Sequence, residues 1–308
     1  MDGVPTFVHQ VHTQRTAFGR FSPYTYPMGN FFLGVLATLI VLGVWHHFTQ
    51  APQAERTWAE EHAYTSYVEG GEGIMTIRNV RDWTYHASGP ITKEWVDVTV
   101  DPTEVKRVWF VIVPFSKWKA VGHTFLSFEF NDGTTLAFSV EARREADEAY
   151  SWFDGMLRRY ELTYQWGTER DFIARRLVQQ GHPVRMYPLT LPEGAGAALL
   201  RTLADETNAL AATPRFYNTL VANCTNLLAK AVNQSFPGTL PRHYAWLLTG
   251  YSDTYLMREE FIEIVDASEE RTKARYDLMP HREAIGYAAS LDPLAFSEVV
   301  RLNLGMHD

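Results

Sequence analysis

The chain has 308 residues, 46% hydrophobic and 21% charged, with a formal net charge of -8 at pH 7. That balance suits a globular chain with a real core and excludes a disordered tail. The acidic excess, with no basic stripe interleaved with aromatics, excludes a general nucleic-acid binder that must neutralise phosphates.

The first 27 residues form an arm that carries Arg15 and Arg20 against one acid, Asp2. From Phe31 to Trp45 the sequence FFLGVLATLIVLGVW has no charge, and residues 28–48 give about the 20 residues needed to cross a bilayer. Tyr24, Tyr26 and Trp45 flank this run as interfacial residues do, and it is apolar on every side, unlike a buried soluble helix. With Glu55, Glu60 and Glu61 beyond it, the positive-inside rule puts the N-terminus in the cytoplasm and the body outside. The alternative, a cleaved signal peptide, suffers from the long arm and the lack of a clean cleavage site. The expectation is an uncleaved single-pass anchor, with the bilayer as partner and the body outside.

Residues 49–68 are polar and Ala/Glu-rich, which predicts a helix-prone stalk. After the Gly-rich turn at 69–73 come three strand patterns, IMTIRNVRDWTY, EWVDVTV and the two-sided apolar VKRVWFVIVPF. A hairpin over 123–141 follows, then a helix near 144–153, an alternating strand at 160–166, a helix over 168–180 and a short strand at 184–189. A further helix ends before Pro214, and Cys224 opens the next one. The mixture predicts an α+β fold, one antiparallel sheet packed against helices, with a catalytic core over 69–235 and a helical extension or lid over 236–308.

Cys224 is the only cysteine, so it can form no intramolecular disulfide and no thiolate zinc cluster. Leu227, Leu228, Ala231 and Val232 follow it at one-face helical spacing, and Asn223 is a natural N-cap. The thiol would sit at the first helical position, where the positive end of the helix favours a thiolate. The same facts also describe a buried packing cysteine, so the decision rests on whether a histidine can reach it.

Most histidines are poorly placed: His9, His12, His46 and His47 lie in or beside the membrane arm, His62 in the stalk and His182 in a loop. No HExxH or Cys/His ligand spacing occurs, so neither a metal nor a cofactor is expected. His123 is the exception. In GHTFLSFEFNDGTTLAFSVEAR, a three-residue loop Asn131-Asp132-Gly133 pairs Leu126 with Phe138 and Phe128 with Leu136, and it sets His123 opposite Glu141. A two-residue loop would oppose apolar to polar positions. The expectation is a helix-borne thiol, a strand-borne imidazole and a carboxylate behind it. Ser127 and Ser139 on the hairpin, and Tyr217, Asn218 and Asn223 beside the thiol, are supporting candidates.

These residues carry a wider likeness. NVRDW, GHTFLSFEF, SVEARRE, GMLRRYELTY, ERDFIARR, MYPL, RFYNTLVANCTN and AFSEVVR, in this order between Ile77 and Arg301, resemble the Lnb N-terminal periplasmic domain family. The resemblance implies an envelope protein with a core similar to permuted NlpC/P60, papain-like thiol enzymes, the histidine preceding the cysteine. Characterised Lnb proteins are lipoprotein N-acyltransferases, which makes Cys224 the acyl-thioester carrier and His123 the base by motif. The third member is left open among Glu141, Ser139 and an asparagine such as Asn218. The implied substrates are lipoproteins, with cell-wall peptides as the peptidase or amidase alternative and a non-catalytic binding or assembly role as the third reading.

Overall fold

The computed structural model describes residues 27–53, 55–71, 73–115 and 118–306. The expectations for the N-terminal arm, from Asp2 and Arg15 to Tyr26, lie outside the described residues. The chain divides into two units, Met1–Gln50 and Ala51–Asp308. In the first, helix α1 (Pro27–Thr49) is long and apolar enough to cross a membrane, and its apolar side chains are exposed. Its 23 residues span about 35 Å at the helical rise, against a hydrocarbon core of about 30 Å.

The second unit is built on a mostly antiparallel eight-stranded sheet. Its strands are β1 (Tyr67–Gly70), β2 (Met75–His86), β3 (Gly89–Val100), β4 (Val105–Pro114), β5 (Gly122–Phe130), β6 (Thr135–Arg143), β7 (Glu161–Gly167) and β8 (Arg185–Pro188). The order is β1-β2-β7-β6-β5-β4-β8, with β3 also paired to β2 and one parallel pairing, Arg81 with Gly167, joining β2 to β7. The hairpin has the anticipated register: Leu126 faces Phe138, Phe128 faces Leu136, and Gly133 takes φ +84 in the turn.

Alternation along β5 and β6 then decides what covers each face. Leu126, Phe138 and Val140 look toward helices α4 (Ala195–Ala212) and α5 (Cys224–Ser235). Ser127, Thr135 and Ser139 look the other way, toward α3 (Glu169–Ala174), which runs on as a π-helical turn over Arg175–Gln179, and toward α9 (Pro293–Asn303). Short helices α2 (Trp152–Met156), α6 (Ser252–Arg258), α7 (Glu269–Arg275) and α8 (Arg282–Ala288) complete the chain.

The second face is polar for a core. Buried Glu169 receives hydrogen bonds from Ser127 and Ser297 and pairs with Arg301 at 2.8 Å. Buried Arg81 holds Asp171 through two bonds of 2.8 and 2.7 Å. Bidentate geometry offsets the desolvation of both charges, the condition under which such pairs persist in an interior.

Two expectations about local structure are corrected. The stretch over 49–68 is not a helical stalk, because it packs on the body: Glu60–His62 form a single 3-10 turn, His62 is buried, and Arg143 donates to the His62 carbonyl. The helix expected near 144–153 is confined to Trp152–Met156. The residues before it are taken up as an extended partner of that lead-in, with Ala59 N–H bonded to Arg144 O and Ala146 N–H to Thr57 O. The extension over 236–308 lies within the same compact unit as the core and supplies Arg301 to its interior.

Candidate active site

Helix α5 begins where its sequence says it should. The Asn223 side chain accepts the Asn226 N–H at 2.9 Å while the Asn226 side chain accepts the Asn223 N–H at 3.1 Å, a reciprocal capping box. Asn223 also donates to the Thr219 and Trp246 carbonyls, so the cap is fastened from outside the helix. Cys224 is therefore the first helical residue, and it is 5% exposed.

His123 is the second residue of β5, at the same end of the sheet. Its strand start is pinned by Thr249, whose hydroxyl accepts the Gly122 N–H at 3.0 Å and donates to the Gly122 carbonyl. Gly250 lies so close that a Cβ there would stand 2.1 Å from the Lys119 carbonyl oxygen. Although α5 and the imidazole belong to opposite faces of the sheet, both reach its end, and there Cys224 and His123 line one cleft. Thr124, on the α5 face, lies 3.0 Å from the Thr225 hydroxyl, which in turn is 4.0 Å from the Cys224 sulfur.

Behind the ring, Nε2 is 2.8 Å from Ser139 Oγ and 3.1 Å from Glu141 Oε1. The Ser139 hydroxyl donates to the same carboxylate oxygen at 2.7 Å, and Arg176 donates to it at 2.8 Å. Of the candidates for a third member, Glu141 and Ser139 both touch the imidazole. Asn218 does not: its side-chain oxygen accepts the Leu220 and Val221 N–H groups and its amide reaches Met156 O, which shapes the loop before the cap. Ser127 is spent on Glu169, away from the thiol. Tyr217 lines the cleft, as does Tyr150.

Electrostatics follow from these contacts. Burial pushes the Cys224 thiol up, but the bond to His123 and its charge, with the bonds from Thr124, bring it below its ordinary value. Burial pushes His123 down, yet the Glu141 carboxylate outweighs it and the ring is raised to about 9 against the opposing charge of Arg176. Glu141, with burial acting against ionisation, is held well below the usual carboxylate range by His123 and Arg176. At neutral pH the His123 ring is therefore charged, and that charge acts to favour ionisation of the Cys224 thiol.

The thiol lines a cleft of about 520 Å³. Exposed Phe115, Tyr150, Trp152, Leu220 and Leu247 border it together with Arg144, Arg175, Arg176, His62 and His182, and the Phe115 and His182 rings meet edge to face with centroids 5.8 Å apart. Glu61 pairs with Arg144 at 2.8 Å and with Arg175 at 3.0 Å. Among the described residues, no group of three or more His, Cys, Asp or Glu side chains is arranged to hold a metal ion.

Sequence reasoning missed Arg176, the counter-ion of Glu141, and Thr249, the clamp on the histidine strand. The arginines of ERDFIARR were read as part of an ordinary helix. The π-helical turn beginning at Arg175 re-aims them into the cleft, and no local signal marks such a turn. A model of the Lnb N-terminal periplasmic domain family matches residues 92–251, more than half of the chain, from within β3 to just before α6. No curated protein and no solved structure matches.

Proposed function

Because the chain belongs to the Lnb N-terminal periplasmic domain family, we propose that it is a periplasmic, membrane-anchored thiol acyltransferase whose acyl-enzyme forms at Cys224. The observation that supports this most is the convergence in one cleft of Cys224, the first residue of a capped helix, and His123, backed by Glu141 at 3.1 Å. Nucleophilic thiol chemistry needs this set: a thiolate, a base within reach and an orienting carboxylate. The same order, a thiol at a helix start facing a strand-borne histidine, supports a permuted NlpC/P60-like core.

In the proposed reaction the Cys224 thiolate attacks an ester carbonyl, and N–H groups of the first turn of α5 stabilise the oxyanion. The carbon-oxygen bond breaks, the imidazolium of His123 gives its proton to the departing alkoxide, and an acyl thioester remains. An incoming amine then attacks the thioester, His123 takes its proton, and the thiolate leaves. The exposed aromatic border of the cleft suits an amphiphilic acyl donor such as a lipoprotein's lipid end. The apolar helix α1 would hold the enzyme in the inner membrane, N-terminus inside by the charge bias of its flanks.

A second reading, hydrolysis of peptidoglycan stem peptides, is favoured by the arginines and histidines that line the cleft, which suit a peptide carboxylate. One experiment separates the two. The full chain in nanodiscs is offered a phospholipid with an alkyne-tagged acyl chain, or a muropeptide digest, and the products are read by mass spectrometry. Acyl transfer predicts a hydroxylamine-labile tag on Cys224, absent in Cys224→Ala and at least 100-fold slower in His123→Ala. Equal labelling of His123→Ala, or cleavage of muropeptides without any acyl adduct, refutes the acyltransferase. No reaction with either substrate leaves the non-catalytic reading.

A further inference from the structure

A second cavity, separate from the thiol cleft, lies behind α5 between the sheet, α4 and α6. It measures about 280 Å³ and is lined by Phe110, Leu126, Leu199, Leu228, Ala229 and Leu256, among other apolar side chains. That is nearly twice the roughly 150 Å³ of an apolar cavity able to hold benzene, and close to the ~300 Å³ lower end of ligand pockets. Apolar walls facing a void forgo their dispersion contacts, so a filled chamber is favoured over an empty one.

Three of the hydroxyls on its walls are already committed to the protein. Thr225 bonds Thr124 at 3.0 Å, Ser252 donates to the Thr249 carbonyl, and Tyr255 donates to the Pro241 carbonyl at 3.0 Å. The Thr239 hydroxyl and the buried Nε1–H of Trp246, which has no hydrogen-bond partner among the described residues, are the polar groups left on the lining. A polar ligand could pair with little beyond these two and would lose its own hydration, whereas a hydrocarbon chain would lose nothing. Chain neighbours line the chamber and the cleft. Cys224 lines the cleft and Thr225 lines the chamber; likewise Leu247 and Leu248 line the cleft while Trp246 lines the chamber.

We propose that this chamber is a binding site for an unbranched hydrocarbon chain whose polar end lies toward Cys224. The hydrocarbon site stands on the cavity alone; only the placement of the polar end rests on the acyl-enzyme reading.

The probe is a diazirine-bearing stearate, irradiated with the full chain in nanodiscs, after which the cross-linked peptides are mapped. Cross-links are expected in α5 and in Leu256–Phe261 as well as in the membrane helix Pro27–Thr49. Excess oleate should remove the body cross-links. Ala229→Phe, which fills the chamber, and Leu199→Trp, which fills it from α4, should each lower them at least fivefold while iodoacetamide still alkylates Cys224 at the wild-type rate. Cross-links confined to Pro27–Thr49, or body cross-links unchanged by both substitutions, overturn the proposal. Cys224→Ser should cross-link as wild type, so a chamber that binds stearate beside an unreactive thiol would sink the acyl-enzyme and leave the chamber standing.

Discussion

Replacing Glu141 by Gln keeps the shape behind the imidazole and removes its charge. Lifting His123 from 6.5 to about 9 corresponds to about 3 kcal/mol favouring the charged ring, and Glu141 is the largest contribution in that direction. Without it, burial and Arg176 both press the ring toward neutrality, and the thiol loses its cationic partner. Each lost 1.4 kcal/mol or so is a factor of ten, so alkylation at pH 7 should slow by roughly ten- to a hundredfold. The assay is the rate of iodoacetamide labelling of Cys224, the only cysteine, from pH 5 to 10. Wild type should show a midpoint below that of an ordinary thiol, near 8.5, and Glu141→Gln should return it there or above. Both apparent midpoints belong to the Cys-His pair together.

Stability carries the same signature. Since the folded pKa of His123 is raised, its contribution is complete below about pH 6.5 and is lost as pH rises through about 9. Thermal denaturation of wild type should weaken across that window and that of Glu141→Gln should not. Because Arg176 would be left buried without its partner, Glu141→Gln/Arg176→Met serves as the control for misfolding. If Glu141→Gln labels with the wild-type rate and midpoint, the thiol owes nothing to the carboxylate and the electrostatic account fails.

Asn223→Ala removes the side-chain half of the capping box, leaving only the Asn226 side chain on the backbone N–H at position 223, and should cost about 1 kcal/mol in urea denaturation while moving the Cys224 labelling midpoint up; an unchanged midpoint would show that the helix start does not influence the thiol. Gly250→Ala forces a Cβ against the Lys119 carbonyl and should destabilise by about 1–3 kcal/mol and slow Cys224 labelling, because the displaced Thr249 no longer fixes His123; a neutral result would deny the clamp. Arg301→Leu strips Glu169 of its bidentate partner and should cost about 3–5 kcal/mol by denaturation, with Arg301→Leu/Glu169→Gln recovering part of it. No recovery in the double variant would mean that packing, and not charge, is what Arg301 provides.

What could be read from the sequence was whatever local pattern determines. The hairpin register follows from alternation, since a slip by one residue would turn Leu126, Phe128, Leu136 and Phe138 away from α4 and α5. The cap follows because Asn before an amphipathic run has few other uses. Those two local facts brought Cys224, His123 and Glu141 together on paper, and in the fold His123 and Glu141 are in contact and line one cleft with Cys224. The remainder depended on distant partners. Arg81, Asp171, Glu169 and Arg301 look like solvated charges until their counter-ions arrive from 90 or more residues away. The segment over 49–68 has helix-forming residues, but backbone pairing with Arg144 and Ala146 outweighed that weak preference.

The Glu169–Arg301 pair also says something about timing. The two partners are separated by 132 positions in the chain, and the acid sits on the face of the sheet that carries the imidazole. During synthesis, strands β5 to β7 and α3 leave the ribosome long before α9 does. Until α9 emerges, Glu169 has the Ser127 hydroxyl of the sheet as its partner, and burying it ionised is unfavourable. The body should stay loosely assembled until then, and a nascent chain stalled before residue 301 should be the protease-sensitive form.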